Sequence, residues 1–194
     1  MAKLTRQQVT KDNSANVLKV LRFFMIITIL LWMYIIFSFS ADTGLESGTL
    51  SRQVTDFFNS IVELITGRNI KLMVSASSYS LLELGIRKLA HMFIYFVLCI
   101  NIMLLLFTFP RIYMLIRIFI SIAFCFGYAC LDEFHQSFVA GRGASFKDTL
   151  IDSSGAVFGI IASLVLYCIG YTIYHQYQKY KIKKYNASIT SQEF

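Results

Sequence analysis

Charge is scarce in this chain. Only 15% of its residues are Asp, Glu, Lys or Arg, where a soluble domain carries about 25%. That shortage excludes a disordered chain, a coiled coil and an ordinary soluble enzyme. There is one proline, so long segments run without a helix breaker. The four cysteines, Cys99, Cys125, Cys130 and Cys168, all sit inside apolar runs, which argues against a disulfide framework or a cysteine zinc site. No internal repeat is evident. No G-x-S-x-G nucleophile elbow and no H-E-x-x-H pair occurs, although Ser47, Ser51, Ser153 and Ser154 offer hydroxyls. What is abundant is apolar: 56% of 194 residues, with 18 Phe and 11 Tyr. Phe suits the hydrocarbon of a bilayer and Tyr its interfaces.

Four segments are long enough to cross a membrane, which takes about 20 residues. They are Phe23–Ala41, Leu89–Pro110, Ile112–Leu131 and one within Thr149–Tyr174. The bulky Trp32, Met33 and Tyr34 make the first a better anchor than a signal peptide. The expected fold is therefore all-α: a polytopic membrane protein of four transmembrane helices. Its expected organisation is a basic tail over 1–22, a membrane domain over 23–174 with loops at 42–86 and 132–147, and a basic tail over 175–194.

Four crossings return both termini to one side. That side holds Lys3, Arg6, Lys11, Lys19 and Arg22, then Arg111 and Arg117, then Lys179, Lys181, Lys183 and Lys184. These eleven basic residues face only Asp12 and Glu193, while the other side has seven basic and nine acidic residues. The positive-inside rule puts both tails in the cytoplasm, with the protein in the cell membrane. The net charge of +7 is then a topology signal. Attraction to anionic lipid accounts for it, and no nucleic-acid partner is expected.

The outer loop 42–86 has structure of its own. Leu50, Val54, Phe57, Phe58, Ile61, Leu64 and Ile65 recur at helical spacing. Thr43 and Glu46 have capping-box spacing, and Gly67 stands where a helix would end. An amphipathic helix on the outer leaflet, or capping the bundle, is expected. Ser75–Ser80 is expected as an exposed loop. Ser80 and Glu83 repeat the capping-box spacing before a helix that runs into the second span.

Polar groups at membrane depth are costly and prompt a functional question. Arg87, His91 and Tyr95 share one helix face, with Lys88 adjacent. Asp132 and Gln136 share another, with Glu133 and His135 between them and Arg142 following in a Gly-flanked loop. Asp148, Asp152, Gly155 and Gly159 form a third. By the topology above, all lie at the outer ends of spans two to four. Each also has a plainer reading. Arg87 and Lys88 suit interfacial anchoring, Asp132–Arg87 or Asp152–Arg142 suit structural ion pairs, and the two glycines suit close helix packing. A metal set drawn from His91, Asp132, Glu133, His135 and Asp148 has no tight ligand spacing, so neither a metal nor another cofactor is assigned.

These motifs resemble the VanZ family of small bacterial membrane proteins, from about Trp32 to about Leu164. FSFSADTGLESGTLS is similar to the family's Ser-rich stretch after span one, with Ser40, Ser47 and Ser51 in place and Asp42 where Gln is frequent. RKLAHMFIYF matches through Arg87, Lys88, Ala90, His91 and Tyr95. DEFHQSFVAGRGASFKD matches through Asp132, Glu133, Gln136, Arg142 and Asp148, with Ala140 where Pro is usual. DSSGAVFG matches through Gly155 and Gly159, with Asp152 where Asn is usual. The resemblance implies lowered sensitivity to teicoplanin-type lipoglycopeptides, without naming a reaction.

Three activities fit such a cluster. One is binding of an anionic lipid or lipid-linked envelope precursor by Arg87, Lys88, Tyr95, Gln136, Arg142, Asp148 and Asp152. Another is hydrolysis or transfer on a phosphate-bearing headgroup, with His91 moving a proton and Asp132 or Glu133 as its partner. The third is lipid transport, for which four spans require a homodimer.

Overall fold

A computed structural model describes residues 6–73 and 75–190, with side chains for 15–73 and 75–183. Lys3 and Glu193, and the side chains of Arg6, Lys11, Asp12 and Lys184, lie outside the described residues. Every regular element described is a helix: α1 (Arg6–Ala41), α2 (Gly44–Thr66), α3 (Ile70–Met73), α4 (Ala76–Phe107), α5 (Met114–Gln136) and α6 (Phe146–Thr190). Four of them contain segments long and apolar enough to span a membrane: Ala15–Ala41, Ala76–Phe107, Met114–Gln136 and Phe146–Lys183. The protein is an all-α polytopic membrane protein.

The chain divides into two units, Met1–Ile160 and Ile161–Phe194. The second contains the later part of α6, where Tyr171 stacks on His175 and Tyr174, Tyr177 and Tyr180 are exposed. The first unit is centred on α4, which packs against α1, α2 and α5. Its surface is apolar and its interior is mixed. Phe23, Phe24, Phe93, Phe119 and Phe158 are exposed, whereas Ser40, Ser121, Asp132, Glu133 and Asp152 are buried beside Ile36, Leu98 and Met103. A soluble protein could not expose so much hydrocarbon; a bilayer solvates it and leaves the polar groups to find partners inside.

Main-chain carbonyls provide many of those partners. The Trp32 indole N–H donates to the Ile94 carbonyl at 2.7 Å, tying α1 to α4, and the Tyr128 hydroxyl donates to the Met33 carbonyl at 2.7 Å, tying α5 to α1. At the turn between α4 and α5, Arg22 donates to the Thr108 carbonyl and Arg117 to the Phe109 carbonyl. Two cations thus satisfy carbonyls left free where α4 ends. The α4–α6 contact uses the small-residue spacing. A Cβ at Gly155 would overlap the Met92 carbonyl oxygen, and one at Gly159 would come within 2.7 Å of the Phe96 carbonyl oxygen.

The amphipathic helix is α2. Thr43 and Glu46 close a capping box, and Gly67 ends the helix in the left-handed region at φ 67°. Its polar stripe faces inward: Ser47, Thr55 and Asn59 are buried, while the apolar stripe from Leu50 to Ile65 is exposed. That polarity suits a helix whose outer face meets lipid. Ser75–Ser80 is not a loop. Ser75 caps α4 by accepting from the Ser78 amide, and Ser80 turns its hydroxyl onto the Ser77 carbonyl of the same helix.

Candidate functional site

The end of α5, the start of α6, the loop between them and the middle of α4 meet at a polar cavity of about 190 Å³. From α4 come Arg87, Lys88 and His91; from α5, Glu133 and Gln136; from the following loop, Arg142; from the first turns of α6, Asp148 and Asp152. Helical phase explains the α4 contribution, since Arg87 and His91 are one turn apart. Tyr95, one turn further, lies fully buried among the polar groups below, and Asp132 is buried beside Gln136.

The loop 137–145 is held over the cavity by polar contacts at its ends. Glu133 Oε2 accepts the Ser145 amide at 2.8 Å. The Gly44 amide donates to the Ala140 carbonyl at 3.1 Å, and Gly141, at φ 76°, lies so close that a Cβ on Gly44 would overlap its carbonyl. Arg142 reaches back to the end of α1, where its guanidinium donates to the Phe39 carbonyl at 3.3 Å and the Ser40 carbonyl at 3.5 Å. Burial, and then the positive charge of Arg87, lower the Arg142 pKa from its usual value. Both causes oppose the cation, and an anion in the cavity would relieve them.

At the rim, Lys88 Nζ pairs with Asp148 at 2.9 Å; both side chains are nearly half exposed. Such a pair orients the rim and adds little stability. Deeper in, Gln136 Nε2 donates to Asp132 Oδ2 at 3.1 Å and to Ser40 Oγ at 3.2 Å. His91, Asp132 and Asp152 each bring one donor atom to within 4.8 Å of the others.

The ten residues singled out from sequence meet at one place, eight on the cavity and Tyr95 and Asp132 just below it. Their partners differ from those expected. The ion pairs Asp132–Arg87 and Asp152–Arg142 are not formed; among the described residues the ion pairs are Arg52–Glu83, Lys71–Asp56 and Lys88–Asp148. Glu133 anchors a loop. His135 stacks on Phe37 with centroids 4.5 Å apart and does not join the clustered donors. Ser51, Ser153 and Ser154 turn their hydroxyls onto carbonyls of their own helices. Ser40 joins the site through Gln136, a role hinted at only by its place in the Ser-rich stretch.

The constellation drawn from α1, α4, α5 and α6 coincides with a recognised family pattern. A family model described as VanZ/LLP1 matches residues 24–170. The chain belongs to the VanZ/LLP1 family. No curated protein and no solved structure matches it. The match covers the α4 and α5 spans whole, the other two in part and every residue of the cavity, so the site is part of the shared domain.

Proposed function

We propose that this VanZ/LLP1 protein binds the anionic headgroup of a lipid-linked cell-envelope component at the outer leaflet, and by doing so lowers sensitivity to lipoglycopeptides such as teicoplanin. The observation that carries this reading is the pairing of Arg87 and Arg142 at a cavity beside the membrane-spanning helices. Two guanidiniums whose charges repel favour a ligand with two or more anionic oxygens, which a phosphate supplies in a geometry that Arg matches. Size narrows the ligand further. The cavity, about 190 Å³, is smaller than the roughly 300–1,000 Å³ of drug-sized sites. It suits a headgroup and is too small for a glycopeptide. The effect on the antibiotic is then indirect, through the lipid interface that an acyl-tailed drug shares with wall precursors.

Catalysis on the same headgroup is the second reading, favoured by the approach of His91 to Asp132 and Asp152. A histidine beside carboxylates has the parts for proton transfer to a leaving oxygen.

The test is a minimum-inhibitory-concentration shift in an isogenic strain expressing the protein. Teicoplanin sensitivity should fall more than vancomycin sensitivity, and Arg87→Ala, His91→Ala and Asp132→Ala should each abolish the difference at normal expression. Equal shifts for both drugs, or full activity in all three variants, would remove the cavity from the account. Binding and catalysis separate in His91→Asn: graded loss that tracks headgroup affinity supports binding, and complete loss with the headgroup still bound supports catalysis.

A further inference from the structure

We infer that His91, Asp132 and Asp152 bind one divalent transition-metal ion at the floor of the cavity, with the Tyr95 hydroxyl facing it. The donors come from three helices, α4, α5 and α6, yet one atom of each lies within 4.8 Å of the others. Three donors sharing one ion at bonds of about 2.1 Å stand roughly 3.0–3.6 Å from one another. Side-chain rotation that carries each donor inward by up to about 0.7 Å, on the order of thermal displacement in three dimensions, closes that gap.

Charge and burial both call for a cation there. Asp132 is 5% exposed and Asp152 2%. Neither is in ion-pair contact with Lys or Arg among the described residues. Arg142 and His135 are the basic groups whose fields reach Asp132; the Arg142 guanidinium is already donating to α1 carbonyls, and the His135 ring is stacked on Phe37. Two carboxylates taken out of water without a counter-ion are strongly unfavourable. Independent of the carboxylates, the fully buried Tyr95 hydroxyl has no hydrogen-bond partner, and it faces the charges of Asp132 and Asp152. Asp152 Oδ2 is likewise buried without a partner. An ion between them engages Asp152 directly and gives the hydroxyl a neighbour in the ion or its bound water.

The surroundings are those of a supported ligand set. Gln136 donates to Asp132 and also to Ser40, which fixes the Asp132 carboxylate in place. One imidazole with two carboxylates suits Mn2+, Fe2+ or Zn2+; the imidazole sets it apart from the all-oxygen sites of Ca2+. His91 and Asp152 also line the cavity, so the open coordination positions face the space where a headgroup would enter. Resting on the headgroup reading, the ion would take one anionic oxygen while Arg87 and Arg142 take the others.

The experiment uses full-length protein in detergent, stripped with chelator and titrated with Mn2+ alone, with free Mn2+ followed by electron paramagnetic resonance. One site per chain is expected. Asp132→Asn and Asp152→Asn should each weaken it by at least about tenfold, and Glu63→Gln should leave it unchanged. The bound Mn2+ in the unaltered protein should show a nitrogen hyperfine coupling that is lost in His91→Gln. Absence of saturable Mn2+ binding, absence of that coupling, or unchanged affinity in both Asp variants would overturn the inference. Phosphate-headgroup vesicles are added in a separate arm. If Mn2+ binds and the headgroup does not, the proposed function fails and the metal site stands; if the headgroup binds with chelator present and Mn2+ does not, the reverse holds.

Discussion

A methyl group at position 155 has nowhere to go. The Met92 carbonyl occupies the space where a Cβ would stand, and a main-chain oxygen inside a helix cannot swing aside. In Gly155→Ala the α6 N-terminal half must retreat from α4, which lowers stability by about 1–3 kcal/mol and moves Asp152 away from His91. Gly127→Ala is the matched comparison: it is also helical, but nothing lies within 4 Å of its added Cβ. There the higher helix propensity of Ala should stabilise by up to about 1 kcal/mol. Thermal unfolding in detergent should therefore fall for the first and hold or rise for the second. Equal transitions would mean that the two helices do not pack this closely. The residue scale also shows how a fold-supporting glycine becomes a site residue, since the cavity floor exists only while α4 and α6 touch.

Among the elements, one carboxylate ties α2 to both α3 and α4, beside the Arg52–Glu83 pair and the Gly44–Ala140 hydrogen bond. Asp56 Oδ1 accepts from the Tyr79 hydroxyl of α4 at 2.6 Å and from Lys71 Nζ of α3 at 3.2 Å. The Tyr79 hydrogen bond, and then Lys71, hold the Asp56 pKa below its ordinary 3.8. A group whose pKa is depressed by folding contributes stability above its unfolded value, and that stability is lost as pH falls through the folded one. The tether is thus intact across neutral pH and releases only in acid, below 3.8. Protection of the α2 amides against hydrogen exchange, corrected for intrinsic rate, should drop more between pH 5 and pH 3 in the unaltered protein than in Asp56→Asn. An identical drop in both would exclude this carboxylate as the titrating group. The start of α4 differs from the expected loop at one segment. Ser-rich stretches suit loops, but in Ser75–Ser80 the first serine caps and Ser80 bonds within its own turn, so the helix begins earlier than hydropathy suggests.

For the whole molecule, the charge distribution predicts an orientation with both tails in the cytoplasm. Cysteines placed at Arg68 and Lys179, on a background lacking the exposed Cys130 and Cys168, should separate in intact cells. An impermeant maleimide should label the first and reach the second only after lysis. The opposite pattern would move the cavity to the cytoplasmic side and end its link to wall precursors. The four spans, the α2 helix with both its caps, and the residues that gather at the cavity were all legible in the chain. Each depends on something local: a run of about 20 apolar residues, a Thr–Glu spacing, or two side chains one helical turn apart. Local rules give the face of a helix on which a residue sits. They do not say which other helix that face meets. So the tertiary structure alone decided that Asp152, rather than His135 or Asp148, stands with His91 and Asp132. It also decided that Glu133 holds a loop, that Ser40 reaches the site, and that α2 buries its polar stripe. The physical reason is that these outcomes depend on the rotation and approach of different helices, set by contacts such as Gly155 against Met92 that no segment contains by itself.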